Sequence, residues 1–323
     1  MRYLFIFLII FMSFPLVAKQ KPQLTEYAKR INELVYQLSC DASDKKAAKN
    51  LQKTYSEALS AYRNEVVRVK SSGESLPWTK TYDLLDAMNR LSEEIMYNSA
   101  ANHIICEPEF FDLELDEARA NAVHELYDAG TNALNQGGIK QSRYAWQCFS
   151  KAGKIVPKFR DTEQKLQMAY EKATSRILFD QVTAYGNGKS LNCTRISETL
   201  LSVLQMKYLK DQFVQFNTSN EIVTRKLQPT WKIELSFVDL GSESSAPIGN
   251  IQVVYVNGVA ELKIIDTNTE KQMFYKRIPN QYVWKNYSGR EYWDSQTLFD
   301  AFSLNMVNQI QEAISDFINK SLN

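Results

Sequence analysis

The sequence predicts an α+β protein: N-terminal helical hairpins of tetratricopeptide-like type, then a small α/β sheet domain with helices on one face. Three observations carry this. Apolar residues recur at three- and four-residue steps from Leu24 to about Lys70 and again from Leu84 to Met96. A tight helix-hairpin pattern occupies residues 122–172. From Arg176 onward, short alternating stretches rich in β-branched and aromatic residues are interleaved with helical ones.

At the N-terminus, Met1-Arg2-Tyr3 precedes an apolar run from Leu4 to Phe14 broken only by Ser13, and Pro15-Leu16-Val17-Ala18 leads into polar chain at Lys19. One positive charge, an apolar stretch short of the ~20 residues a membrane span needs, and a small residue at the cut form the pattern of a cleavable signal peptide. Cleavage after Ala18 is expected, with an uncleaved anchor as the alternative. The working location is the periplasm or beyond. No cysteine adjoins the cut, so a lipid-anchored cysteine is not expected. The expected division is a signal peptide at 1–18, a helical repeat-like domain at 19–174 and an α/β domain at 175–323.

Without Arg2 the chain carries 37 basic and 37 acidic residues. That balance gives no electrostatic reason to bind nucleic acid or anionic lipid, so membrane contact is expected only through partners. Four cysteines in an exported chain allow two disulfides. Cys40 and Cys106 both sit where helical patterns break, and their pairing is expected to close a helical hairpin. Cys148 and Cys193 form the second expected pair; free buried thiols are the alternative for both.

Tyr27, Ile31, Leu34, Val35 and Leu38 define a first helix. After the break at Cys40, Ser43-Asp44 supplies an N-cap for a second, marked by Leu51, Tyr55, Leu59, Tyr62, Val66 and Val69. Ser71-Ser72-Gly73-Glu74 and Pro77 stop it, and Leu84, Leu85, Met88, Leu91, Ile95 and Met96 mark a third. Glu107 to Glu117 holds six carboxylates but lacks the alternating Asp/Asn and central Gly of a calcium loop. It reads as an acidic first helical turn favoured by the helix dipole.

In residues 122–172, Leu126, Ala129, Gly130 and Ala133 lie on one helix, Asn135-Gln136-Gly137-Gly138 turns, and Ala145, Phe149, Ala152 and Pro157 follow. Small, large, small and a terminating proline suit two helices in close approach. The pattern resembles the tetratricopeptide repeat, with Gly130 at the small position of the first helix and Tyr170 at the aromatic position of the next. One repeat cannot bury its own faces, so the upstream helices are expected to stack on it.

Strands are expected at Ile177–Val182, Phe213–Phe216, Trp231–Phe237, Gln252–Ile265, Met273–Tyr275 and Tyr282–Trp284. Helices are expected from Thr194 to Lys210, from an Asn220 cap to Leu227, and from Ser295 to Ile318. The segment Lys263-Ile264-Ile265-Asp266-Thr267-Asn268-Thr269 resembles the leucine-valine-aspartate-x-x-threonine-glycine hairpin of the curli-secretion-channel lipoprotein and similar envelope domains. Glu270 stands where that pattern has glycine. Residues 122–318 also resemble uncharacterised bacterial envelope proteins that join a tetratricopeptide-like segment to such a domain; Tyr282-Val283-Trp284 and Tyr287-Ser288-Gly289 carry that match. The resemblance implies an envelope scaffold or adaptor.

Catalytic chemistry finds little footing. Gly186-Asn187-Gly188-Lys189-Ser190 imitates a phosphate-binding loop, but Thr183 stands where its first glycine belongs. It reads as a strand-to-helix loop. The two histidines, His103 in an expected loop and His124 on a helix, have no triad context, and a Cys106/His103 pair lacks a third member. Asp239 and Asp266 read as turn formers at strand ends. The chain is expected to be a non-enzymatic protein without metal or cofactor that binds envelope protein partners. The alternative is a carbohydrate or peptidoglycan binder using the Tyr282–Trp293 cluster, with Tyr275, Trp284, Tyr287, Tyr292 and Trp293 as its surface. Phe274 and Tyr282 are expected to face the core.

Overall fold

The computed structural model of the chain describes residues 20–185, 193–245, 251–286 and 295–322. The expected signal peptide, Met1–Ala18, lies outside the described residues. Compactness divides the chain into two interleaved units. One draws on the chain up to Gly130 and on Cys148–Glu163; the other draws on Thr131–Gln147 and on the chain from Gln164 onward.

The first unit contains α1 (Gln20–Cys40), α2 (Lys45–Ser71), α3 (Pro77–Tyr97) and α4 (Ser99–Ile105). The break after α1 is chemical. Asp41 Oδ1 accepts from the Ser43 amide (2.9 Å) and hydroxyl (2.7 Å), and Asp44 then caps α2 by accepting from the Lys46 and Ala47 amides. Ile31, Leu34 and Leu38 of α1 bury against Leu51 and Tyr55 of α2 and Met88 and Ile95 of α3. Pro77 occupies the start of α3, where its missing N–H costs nothing. That helix has no cap of its own. The Glu125 carboxylate accepts instead from the Thr79 amide and hydroxyl, each at 2.8 Å. A closed polar ring lies within the helical core. Tyr55 Oη meets Ser92 Oγ at 2.9 Å, Ser92 Oγ donates to the Glu109 carbonyl at 2.6 Å, and the Glu109 amide donates back to Tyr55 Oη at 2.8 Å. Asn89 adds a bond from the Phe111 amide at 2.8 Å, so buried polar groups pin the acidic segment that precedes the next helix.

Three further helices, α5 (Asp112–Gln136), α6 (Ile139–Ile155) and α7 (Thr162–Ala173), contribute to both units. Between α5 and α6, Gly137 and Gly138 take φ of +74° and +81°, conformations open to glycine at no steric cost.

The second unit is built on a mixed sheet of β1 (Ser175–Phe179), β2 (Thr183–Ala184), β3 (Val214–Asn217), β4 (Trp231–Ser244), β5 (Gln252–Asp266) and β6 (Gln272–Asn286). The order is β3-β1-β4-β5-β6, with β2 pairing farther along β4. β1 runs parallel to both β3 and β4, while β4, β5 and β6 form an antiparallel meander. Trp231, Ile233, Leu235 and Phe237 alternate onto one face with Val254, Val256, Ala260, Leu262 and Ile264. Two helices, α8 (Cys193–Lys207) and α10 (Ser295–Leu322), cover that face through Ile196, Leu200, Leu204, Phe302, Met306 and Ile310. The chain is thus α+β.

Several boundaries differ from expectation. The separate strands expected at Met273–Tyr275 and Tyr282–Trp284 are one strand, β6, with Pro279 inside it. An edge strand tolerates proline because only one side of its ladder needs donors. The short helix α9 (Ser219–Thr224) is capped by Thr218, not Asn220, through a reciprocal box with Glu221. Asp239 lies within β4 at φ +54°, where a bulge shifts the register. His103 belongs to the short helix α4 and not to a loop.

Candidate functional site

None of the expected disulfides is formed. Cys40 is exposed at the end of α1. Cys106 is exposed beyond α4 at φ +60°, and its thiol donates to the His103 carbonyl at 3.2 Å. Cys148 is buried in a helical cluster with Val123, Leu126 and Ala152. Cys193, at the start of α8, is half-buried, and that burial pushes its thiol pKa up. The thiols follow their local helix packing rather than a bridging geometry.

Among the residues singled out for repeat packing, Phe149 and Ala152 are fully buried, as is Ala145. A Cβ on Gly130 would sit 2.9 Å from two Phe149 ring carbons, so the ring fills the space the glycine leaves. Pro157 follows the end of α6.

The aromatic cluster is divided. Trp284 is only 8% exposed and its ring belongs to the core between sheet and helices, so it offers no surface platform. Tyr282 and Phe274 are half-buried and pack on the same core. Both lie on Trp284's side of the strand, which is why alternation carries all three inward. Tyr275 is exposed and donates to Glu261 at 3.1 Å. Tyr287, Tyr292 and Trp293 lie outside the described residues, as do Gly186–Ser190 and the Tyr287-Ser288-Gly289 stretch. Three carboxylates of the acidic run have partners: Glu109 pairs with Arg63, Asp112 accepts from Asn89 and Asp116 pairs with Arg119. Among the described residues, no three His, Cys, Asp or Glu side chains converge to hold a metal.

Concave regions occur in both units among the described residues. In the helical unit a groove of about 650 Å³ runs between α1 and α3. Tyr36 and Tyr97 flank it, 70% and 81% exposed. Both stand off the apolar phase of their helices, which places the rings in solvent while Ile31, Leu38 and Ile95 pack inward. Arg90 also lines the groove but is paired with Asp86 at 2.8 Å. Glu93 and Glu94 make no ion pair with a described residue, so the groove carries negative charge between two phenol rings.

In the other unit a cleft of about 430 Å³ opens beside β3. Tyr170, Tyr208, Gln205, Gln212, Gln215 and Asn217 line it. Gln205 Nε2 donates to the Phe216 carbonyl at 3.2 Å, Gln215 Nε2 to Tyr170 Oη at 3.3 Å, and Asn217 Nδ2 to the Gln215 carbonyl at 3.2 Å. Tyr170 Oη donates in turn to the Gln212 carbonyl at 3.3 Å. The two carboxylates on the wall are held by their own loops: Asp211 accepts from the Phe213 amide and Glu221 from the Thr218 amide.

Neither region was singled out from the sequence. Out-of-phase Tyr36 and Tyr97 are the signal that existed for the groove. The cleft residues come from four elements, α7, α8, β3 and α9, and from the loop before β3, and share no sequence spacing.

No protein-family model matches the chain, and no curated sequence relative does either. Solved structures show slight similarity. The PelC dodecamer of Paraburkholderia phytofirmans matches at 6% identity and a TM-score of 0.26, covering 42% of this chain and 86% of that one. Lipoprotein GNA1162 of Neisseria meningitidis matches at 11% identity and 0.23, covering 43% and 99%. A minor lipoprotein of Acinetobacter baumannii matches at 10% and 0.24, covering 43% and 92%. Lipoproteins thus recur among the proteins this chain resembles. Likeness of this degree transfers neither activity nor partner.

Proposed function

We propose that the chain is an exported, non-enzymatic binding protein of the bacterial envelope, acting as a scaffold or adaptor that docks a protein partner on its helical unit. The apolar run before Ala18 supports export. An envelope setting gains support from the hairpin resemblance of Lys263–Thr269. Asp266 Oδ1 accepts from the amides of Asn268 and Thr269, and Glu270 takes φ +53° where the hairpin pattern has glycine. Among the described residues no helix is long and apolar enough to cross a membrane. The non-enzymatic reading rests on where reactive groups are spent: His124 meets Phe159 edge to face at 5.0 Å, and the Cys106 thiol bonds its own helix end.

The observation that carries the docking role is the pair of exposed tyrosines on the α1–α3 groove. Tyrosine gives large contact area at small entropy cost and is enriched among residues that dominate interfaces. With Glu93 and Glu94 between the rings, the complementary occupant is a lysine- or arginine-bearing segment of a protein partner, which phenol faces also attract.

A photocrosslinking residue placed at position 36 or 97 of the full chain in its native envelope should give a discrete protein adduct. The same residue at Met206, exposed on α8, should not. Adduct yield should fall in Glu93→Lys/Glu94→Lys chains. Absence of any discrete adduct at both tyrosines, or yields unchanged by charge reversal, rejects the role.

A further inference from the structure

The cleft beside β3 is separate from the proposed docking groove and has a different chemistry. Its wall carries the carboxamides of Gln205, Gln212, Gln215 and Asn217, three of them held by hydrogen bonds. Each of Gln205, Gln215 and Asn217 spends one N–H on a protein acceptor, at 3.2, 3.3 and 3.2 Å respectively. A carboxamide has two N–H donors and one acceptor oxygen. Asn217 is buried, but Gln205 and Gln215 each keep an oxygen and a second N–H, held in place before any ligand arrives. Adjacent donor and acceptor at that spacing match a pair of neighbouring hydroxyls, each of which both gives and takes a hydrogen bond.

The half-buried rings of Tyr170 and Tyr208 line the same cleft, and Tyr208 packs on Phe216 with ring centroids 5.6 Å apart. Phenol faces suit the C–H faces of a sugar ring. Charge on the wall is mixed and small: Asp211 and Glu221 are oriented by backbone amides and keep their negative charge, and Arg225 is positive. A volume of about 430 Å³ fits a mono- or disaccharide unit. We infer that this cleft binds a neutral, polyhydroxylated ligand: one or two sugar units of a glycan. The glycan surface expected from the sequence at Trp284 is buried, whereas this cleft is open and preorganised.

The test uses the full chain without its leader, titrated in separate experiments with N,N′-diacetylchitobiose, maltose and trialanine, followed by amide chemical shifts. At least one disaccharide should give saturable shifts at millimolar concentration centred on residues 205–225, and trialanine should give none. Gln205 and Gln212 are exposed, so Gln205→Ala/Gln212→Ala should leave the fold intact and weaken binding at least about tenfold. Tyr170→Phe, which frees Gln215, should weaken it less. As a control, Gln281→Ala on the open sheet face should bind as the parent does. Saturable shifts with trialanine alone, no response to either disaccharide, or undiminished binding by the Gln205/Gln212 variant overturns the inference.

Discussion

Glu270 and Gly258 show two ways in which one side chain sets local geometry. At the β5–β6 turn, Asp266 collects three hydrogen bonds from the Asn268 amide and the Thr269 amide and hydroxyl. The backbone bond from Thr269 leads in holding its carboxyl below the usual range. The turn then needs a left-handed residue, and Glu270 supplies it at φ +53°. A non-glycine residue there costs ~1–2 kcal/mol, partly offset by the greater unfolded freedom of glycine. Glu270→Gly should therefore stabilise the chain by roughly 0.5–1 kcal/mol in urea unfolding; an unchanged or lowered midpoint contradicts the account. At Gly258, in mid-β5, a Cβ would lie 2.5 Å from Leu240 Cδ2 and 2.9 Å from the Phe302 ring. The Asp239 bulge places Leu240 inward and α10 presses Phe302 onto the strand, so Gly258→Ala should cost about 1–3 kcal/mol, read as a lower melting temperature with intact far-ultraviolet dichroism. The sequence announces Asp266 as a turn former. It is silent on Gly258, because the atoms that exclude a methyl there belong to Leu240 and Phe302, 18 and 44 residues away.

At the scale of elements, legibility follows how local the determining contacts are. The caps on α2 and the run of α10 are written in adjacent residues, and the structure places them there. The start of α3 is different: its cap is Glu125, 46 residues from Thr79, and no window on the sequence joins them. The α2–α3 connection is closed by charge as well. Glu74 accepts from Lys80 at 2.6 Å and from Arg68, which also grips Glu65 at 2.7 Å. Lys80 first, then Arg68, hold the Glu74 carboxyl down at about 2, against an ordinary 4.5. Since the folded value is the lower one, the contribution to stability is complete above pH 4.5 and fades as pH falls toward about 2. Glu74 is solvent-screened, so the effect is best read as a slope. Glu74→Gln should flatten the loss of stability between pH 4.5 and 2 relative to the parent, with salt narrowing the difference. Parallel curves for the two chains rule the cluster out as an acid-sensitive element.

For the whole molecule, alternation and composition were enough to read the α+β class, whereas the α1–α3 groove and the β3 cleft escaped because each draws its lining from separate segments. The same distributed logic governs the sheet's two borders. An open β edge is a template for another strand, and a chain with balanced charge has little long-range repulsion to prevent pairing. The β3 border is closed from within. Its outward Phe216 carbonyl is taken by Gln205, and its outward Val214 amide donates to the Asp211 carbonyl at 3.2 Å. At the other border, β6 is 15 residues long and exposes Lys276 and Lys285, while its Arg277 pairs with Asp239 and Glu261. Pro279, paired in register with Val259, sits near its centre and removes one donor from the outer row. Like charge and a missing N–H both oppose strand addition there. Pro279→Val, especially with Lys276→Thr, should restore the row and remove repulsion while leaving the β5 ladder intact. Sedimentation velocity across a concentration series should then show more self-association for the variant than for the parent in the same buffer. Dilution should reverse it, since pairing adds only a single strand–strand contact. Equal sedimentation of the two chains at every concentration would mean that the exposed lysines and proline of β6 are not what keeps this border unpaired.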